Sequence, residues 1–155
     1  IHVTIRALPA LYEWKEDQMI DRTKLNAAWW TLRIAVGLGA FLAGLDKFFN
    51  ILADWSMYLS PLAEKMLPVS GHSFMHLIGP VEMAVGLAIL TRWTRPGAYV
   101  ASAWLLGIAI NLLTTGSFYD LAVRDIEIAI GAYVLAKLTE VLNMPLVQPA
   151  DAKSI

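Results

Sequence analysis

The chain has 155 residues, and its 12 basic and 13 acidic side chains leave a formal charge of −1, enough length for one domain and too little charge for a nucleic-acid-binding field. Hydrophobic residues make up 57% and charged residues 16%, against about 45–50% and about 25% in soluble domains, so an integral membrane protein fits better than a soluble globule. There is no cysteine, which excludes disulfides, thiolate metal sites and cysteine nucleophiles, and leaves any redox role dependent on a borrowed cofactor.

Residues 1–26 mix Leu8, Leu11, Tyr12 and Trp14 with several charges and read as a cytoplasmic or interfacial segment, or alternatively as a docking arm for a partner subunit. No signal-peptide pattern is visible, so targeting is expected to rest on the membrane spans themselves. The first span runs from Ala27 to Trp55, with Trp29, Trp30 and Trp55 near its ends as interface anchors. The second runs from Ser73 to Thr91 and contains Pro80, which is expected to kink it. The third, Gly97 to Thr115, has only Ser102 and Asn111 as strongly polar interruptions, and the fourth, Phe118 to Leu142, carries Arg124, Asp125 and Glu127. The stretch from Asp54 to Gly71 reads as a partly buried external lid or interfacial turn, and 143–155 reads as a loose tail.

The expected fold is therefore all-α, a four-helix transmembrane antiparallel bundle over 27–142. With both termini cytoplasmic, nine of the twelve basic residues fall on the cytoplasmic side and only Lys47, Lys65 and Arg124 on the other, which gives an N-in, C-in topology.

At helical spacing, Arg33, Gly37, Ala40, Gly44 and Lys47 share one face of the first span, His72, His76, Gly79, Met83 and Gly86 one face of the second, and Asp120, Arg124, Glu127 and Gly131 one face of the last. Small residues at such spacing let neighbouring backbones approach closely. A carboxylate facing lipid at mid-span costs on the order of 2.5–3.5 kcal/mol, so each Glu needs a partner. Lys47 is the expected partner of Glu82, and Arg124 that of Asp120 and Glu127 on its own helix. These charges serve either as polar glue that holds helix register or as a functional pocket lined by Arg33, Lys47, Glu82, Arg124 and Glu127. His72 and His76 share a face but have no neighbouring carboxylate, and so make a weak metal or haem candidate. The six tryptophans read as anchors and packing residues rather than pigment sites.

The run Leu32 to Lys47 with Arg33, Gly37, Gly44 and Lys47, then Gly79-Pro-Val-Glu82 to Gly86, and the opening Arg124-Asp-Ile-Glu127 of the last helix resemble the DoxX/DoxD-like family of small four-helix membrane proteins. The resemblance covers about residues 30–138. It implies a membrane subunit associated with redox machinery, one branch of the family being the membrane component of thiosulfate:quinone oxidoreductases, and it makes Arg33, Lys47, Glu82 and Arg124 the polar lining of the bundle.

The expected role is a small accessory subunit of a bacterial electron-transfer complex, respiratory or photosynthetic, in the inner membrane, contacting larger membrane subunits and lipid but no nucleic acid. A quinone head is the candidate ligand, with Lys47 or Arg124 donating to a quinone oxygen and Glu82 or Glu127 relaying protons. The alternatives are a DoxD-like component of a thiosulfate:quinone-type enzyme and a ligand-free assembly subunit.

Overall fold

The computed structural model describes residues 4–143, and side chains from Arg22 onward; the tail expected over 143–155 lies, beyond Asn143, outside the described residues. Helix α1 (Thr4–Asp46) is one unbroken helix of 43 residues, about 65 Å long at 1.5 Å per residue. A bilayer core needs about 30 Å of this, so the membrane segment and the preceding segment share one rod. The interfacial and docking-arm readings of 1–26 depend on side chains outside the described residues.

The first span was expected to reach Trp55, but α1 stops nine residues earlier for a local reason. The Asp46 carboxylate accepts from the backbone N–H groups of Ile51 and Leu52, each at 3.0 Å, and from Trp55 Nε1 at 2.8 Å. Asn50 takes a positive φ of 51°, a conformation that asparagine tolerates better than most residues. The chain thus turns back over the end of the bundle. A 3-10 turn, Trp55–Tyr58, is capped by the Asp54 side chain accepting from Ser56 N–H, and α2 (Pro61–Met66) starts with Ser60 as its cap and Pro61 in its first turn, a favoured helix start. Ser60 is buried, and its N–H donates to Asn111 Oδ1 at 3.0 Å while Asn111 Nδ2 donates to the Tyr58 carbonyl at 2.7 Å. The lid expected from Asp54 to Gly71 is therefore pinned to the third span.

Helices α3 (Gly71–Leu90), α4 (Thr94–Thr114) and α5 (Tyr119–Asn143) follow. Ser70 caps α3, whose helical run continues through Pro80. The positive φ values of Gly116 and Phe118 reverse the chain into α5. The membrane portion of α1 packs on α3 and α5, α3 on α4, and α4 on α5, which closes a ring of four helices with consecutive neighbours antiparallel. Three of them, Arg22–Asp46 of α1, α3 and α4, are long and apolar enough to cross a membrane. The chain is read as a multi-pass membrane protein on that length and composition.

The interior is built from small residues. One apolar cluster joins Val36, Ile89, Ala98, Ala101, Ala132, Leu135 and Ala136, and a second joins Ala109, Leu112 and Ala122 under Tyr58 and Phe118. Large aliphatic side chains such as Leu38, Leu77, Ile110 and Ile130 face outward. Small residues inside and large apolar ones outside suit helices whose solvent is hydrocarbon, because association then depends on close packing rather than on withdrawal from water.

Candidate functional site: a buried charged centre under a tryptophan lid

Between the two apolar clusters lies a charged centre, placed there by glycines. A Cβ on Gly44 would sit 2.5 Å from the Gly79 carbonyl oxygen and 2.8 Å from the Met83 nitrogen, and one on Gly86 would sit 2.6 Å from both the Gly37 oxygen and the Phe41 nitrogen. Backbone thus meets backbone along α1 and α3. That contact brings Lys47, one residue past the end of α1, to Glu82 near the middle of α3. Lys47 Nζ donates to Glu82 Oε2 at 2.5 Å, and their side chains are 5% and 9% exposed. The other oxygen, Oε1, accepts from Trp104 Nε1 of α4 at 3.1 Å. The ring of Trp55 covers the ammonium, with Nζ 4.0 Å from its centroid, a favourable cation–π position.

Both carboxylate oxygens are therefore satisfied, and the cation lies between a carboxylate and an aromatic face. This is what keeps two buried charges tolerable, since desolvation is repaid only with good geometry and additional hydrogen bonds. Asp125 of α5 is also buried. Between α4 and α5, Ser102 Oγ donates to the Ala129 carbonyl at 2.9 Å.

The other expected site residues are placed differently. Arg33 stands 14 residues before Lys47 on α1, about 21 Å along the helix, and closes the opposite end of the bundle. Its Nε donates to the Ile89 carbonyl at 3.0 Å and its Nη2 to the Leu90 and Thr91 carbonyls at 2.8 and 2.5 Å. Trp29 and Trp30 flank its guanidinium. Arg33 thus satisfies the orphan carbonyls at the end of α3 and does not share a pocket with Lys47.

On α5, the expected inward row of Asp120, Arg124 and Glu127 lies on the exposed side. The ion pair of Arg124 among the described residues is to Asp125, at 3.9 Å with the Arg124 side chain 60% exposed, rather than to Asp120 or Glu127. The inward carboxylate on this helix is Asp125. The small-residue rule would have found it, because Asp125, Ala132 and Thr139 recur every seven residues beside Ala122, Ala129 and Ala136, and all six are buried. Trp104, read as an anchor, instead donates to Glu82.

His76 stacks on Phe48 with centroids 5.4 Å apart and contacts His72 at 4.4 Å. No group of three or more His, Cys, Asp or Glu able to hold a metal ion occurs among the described residues.

No family profile, no curated protein and no solved structure matches the chain.

Proposed function

We propose that the chain is a four-span, non-catalytic accessory subunit of a bacterial electron-transfer complex in the inner membrane, with both ends cytoplasmic. The observation that carries the accessory reading is the closed Lys47–Glu82–Trp104 centre, whose polar groups are occupied by one another beneath Trp55. A centre of this kind fixes the register of α1, α3 and α4, and a one-turn slip of any of them would strand a charge in a dry interior. The fourth span is α5, whose 25 residues suffice to cross. Its charges near the chain's basic end form a belt in which Glu140 accepts from Tyr99 and Lys137 and pairs with Arg95, a position suited to a membrane interface. The basic residues Arg33, Arg92, Arg95 and Lys137 gather at that same end, which supports placing it in the cytoplasm.

The electron-transfer part of the proposal rests on the resemblance to DoxX/DoxD-like proteins in the Arg33–Lys47 and Gly79–Gly86 segments. The test is purification of the native protein in mild detergent, with mass spectrometry of co-purifying chains and extraction of quinones, haems and pigments. Stoichiometric redox subunits are expected. Recovery of the chain alone overturns the accessory role, and a stoichiometric quinone lost on Lys47→Met overturns the non-catalytic one.

A further inference from the structure

On the outer side of α3 and α4 lies an apolar groove of about 530 Å³, with Pro80, Val81, Ala84 and Val85 on one wall and Pro96 and Val100 on the other. From Pro80 to Ala88 it runs eight residues along α3, about 12 Å. Beneath it α3 and α4 approach closely at Gly97, where a Cβ would fall 3.0 Å from the Ile89 side chain. Its rims, Val81 and Val100, are about half exposed.

We propose that this groove holds one acyl chain of an anionic phospholipid, with the lipid phosphate bound by Arg92. The inference rests on the membrane-spanning reading and is independent of the redox assignment. The groove ends at Trp93, which is 56% exposed, at the level where aromatic residues meet lipid headgroups. The Arg92 guanidinium lies 5.7 Å from the Trp93 ring. The neighbouring cations have other work, since Arg95 pairs with Glu140 and Arg33 caps α3. Arg92 is exposed and has no ion pair among the described residues. An apolar channel leading to a cation complements an acyl chain leading to a phosphate, and a basic end matches an anionic leaflet.

The test is native mass spectrometry of the delipidated full chain titrated with phosphatidylglycerol, with phosphatidylcholine carrying the same acyl chains, and with inorganic phosphate. One phosphatidylglycerol is expected to be retained about fivefold better than phosphatidylcholine, the factor that one basic residue near an anionic surface supplies. Ala84→Phe fills the groove and abolishes retention of both lipids. Arg92→Gln removes the preference but leaves one lipid bound. Val100→Trp, at the rim, serves as a second groove-filling variant if Ala84→Phe does not fold. Equal retention of the two lipids by the unsubstituted chain overturns the headgroup contact, and unchanged retention in a folded groove-filling variant overturns the acyl-chain site. Displacement of the lipid by inorganic phosphate makes the site one for free phosphate and overturns the proposal.

Discussion

The α1–α3 and α4–α5 pairs solve the same packing problem with different residues. In α1–α3, Gly44, Gly79 and Gly86 press backbone against backbone, and the resulting proximity closes an ion pair. In α4–α5, the methyl groups of Ala98, Ala101, Ala129, Ala132 and Ala136 fill the space, and a neutral hydroxyl, that of Ser102, supplies a buried cross-link. The difference shows what glycine adds beyond tightness. A buried lysine is supported by the first pair, where its partner lies within direct reach, whereas the cross-link at the alanine interface is a neutral hydroxyl on a backbone carbonyl.

The comparison breaks most sharply at Glu82. Glu82→Ala leaves the Lys47 ammonium buried without its carboxylate and is expected to cost about 3–5 kcal/mol in reversible unfolding in mixed detergent. Combining Lys47→Met with Glu82→Leu should recover most of that loss, since a buried pair is often replaceable by apolar residues of similar volume; failure to recover would mean that the pair does more than hold register.

Next comes Gly44→Val, which forces a side chain into the Gly79 carbonyl and the Met83 nitrogen. Backbone cannot rotate aside, so a loss of about 3 kcal/mol or more is expected in the same assay. Arg33→Ala removes three hydrogen bonds to carbonyls at the end of α3, of which those of Ile89 and Thr91 keep Thr94 Oγ1 as a donor, and should cost about 1.5–3 kcal/mol, the range for hydrogen bonds from charged groups; a melt within error of the parent would show that Thr94 and water cap the helix equally well.

Gly107→Ala sharpens the contrast in the other direction. A Cβ there meets nothing within 4 Å, so the substitution should stabilise by about 0.5–1 kcal/mol through helix propensity alone. The smallest effect is expected at Arg124→Gln, within about 0.5 kcal/mol, because its pair with Asp125 is long and its side chain exposed.

These differences also explain what was legible beforehand. The Lys47–Glu82 pair could be read from helical spacing because Lys47 lies on one glycine stripe and Glu82 beside another, and a lone mid-span carboxylate has few affordable partners. The facing of α5 could not be read from charge spacing. Apolar residues surround that helix on nearly every side, as lipid permits, so the three- and four-residue spacing of Asp120, Arg124 and Glu127 matched an exposed row as well as a buried one. Residue size would have separated them, since alanines mark the inner face. The early end of α1 was hidden for another reason. Phe48, Phe49, Ile51 and Leu52 continue the apolar run, and the three hydrogen bonds gathered by Asp46, with the positive φ of Asn50, reveal that the helix has ended.

The same carboxylate sets how water reaches the interior. Asp46 holds Ile51, Leu52 and Trp55 at once, and Trp55 is the plate above the Lys47 ammonium. Loosening the loop and wetting the charged pair are therefore one event. In deuterated solvent, the amides of Ile51 and Leu52 should exchange together, at the rate with which the lid lifts, and that rate is the hydration clock of the bundle's centre.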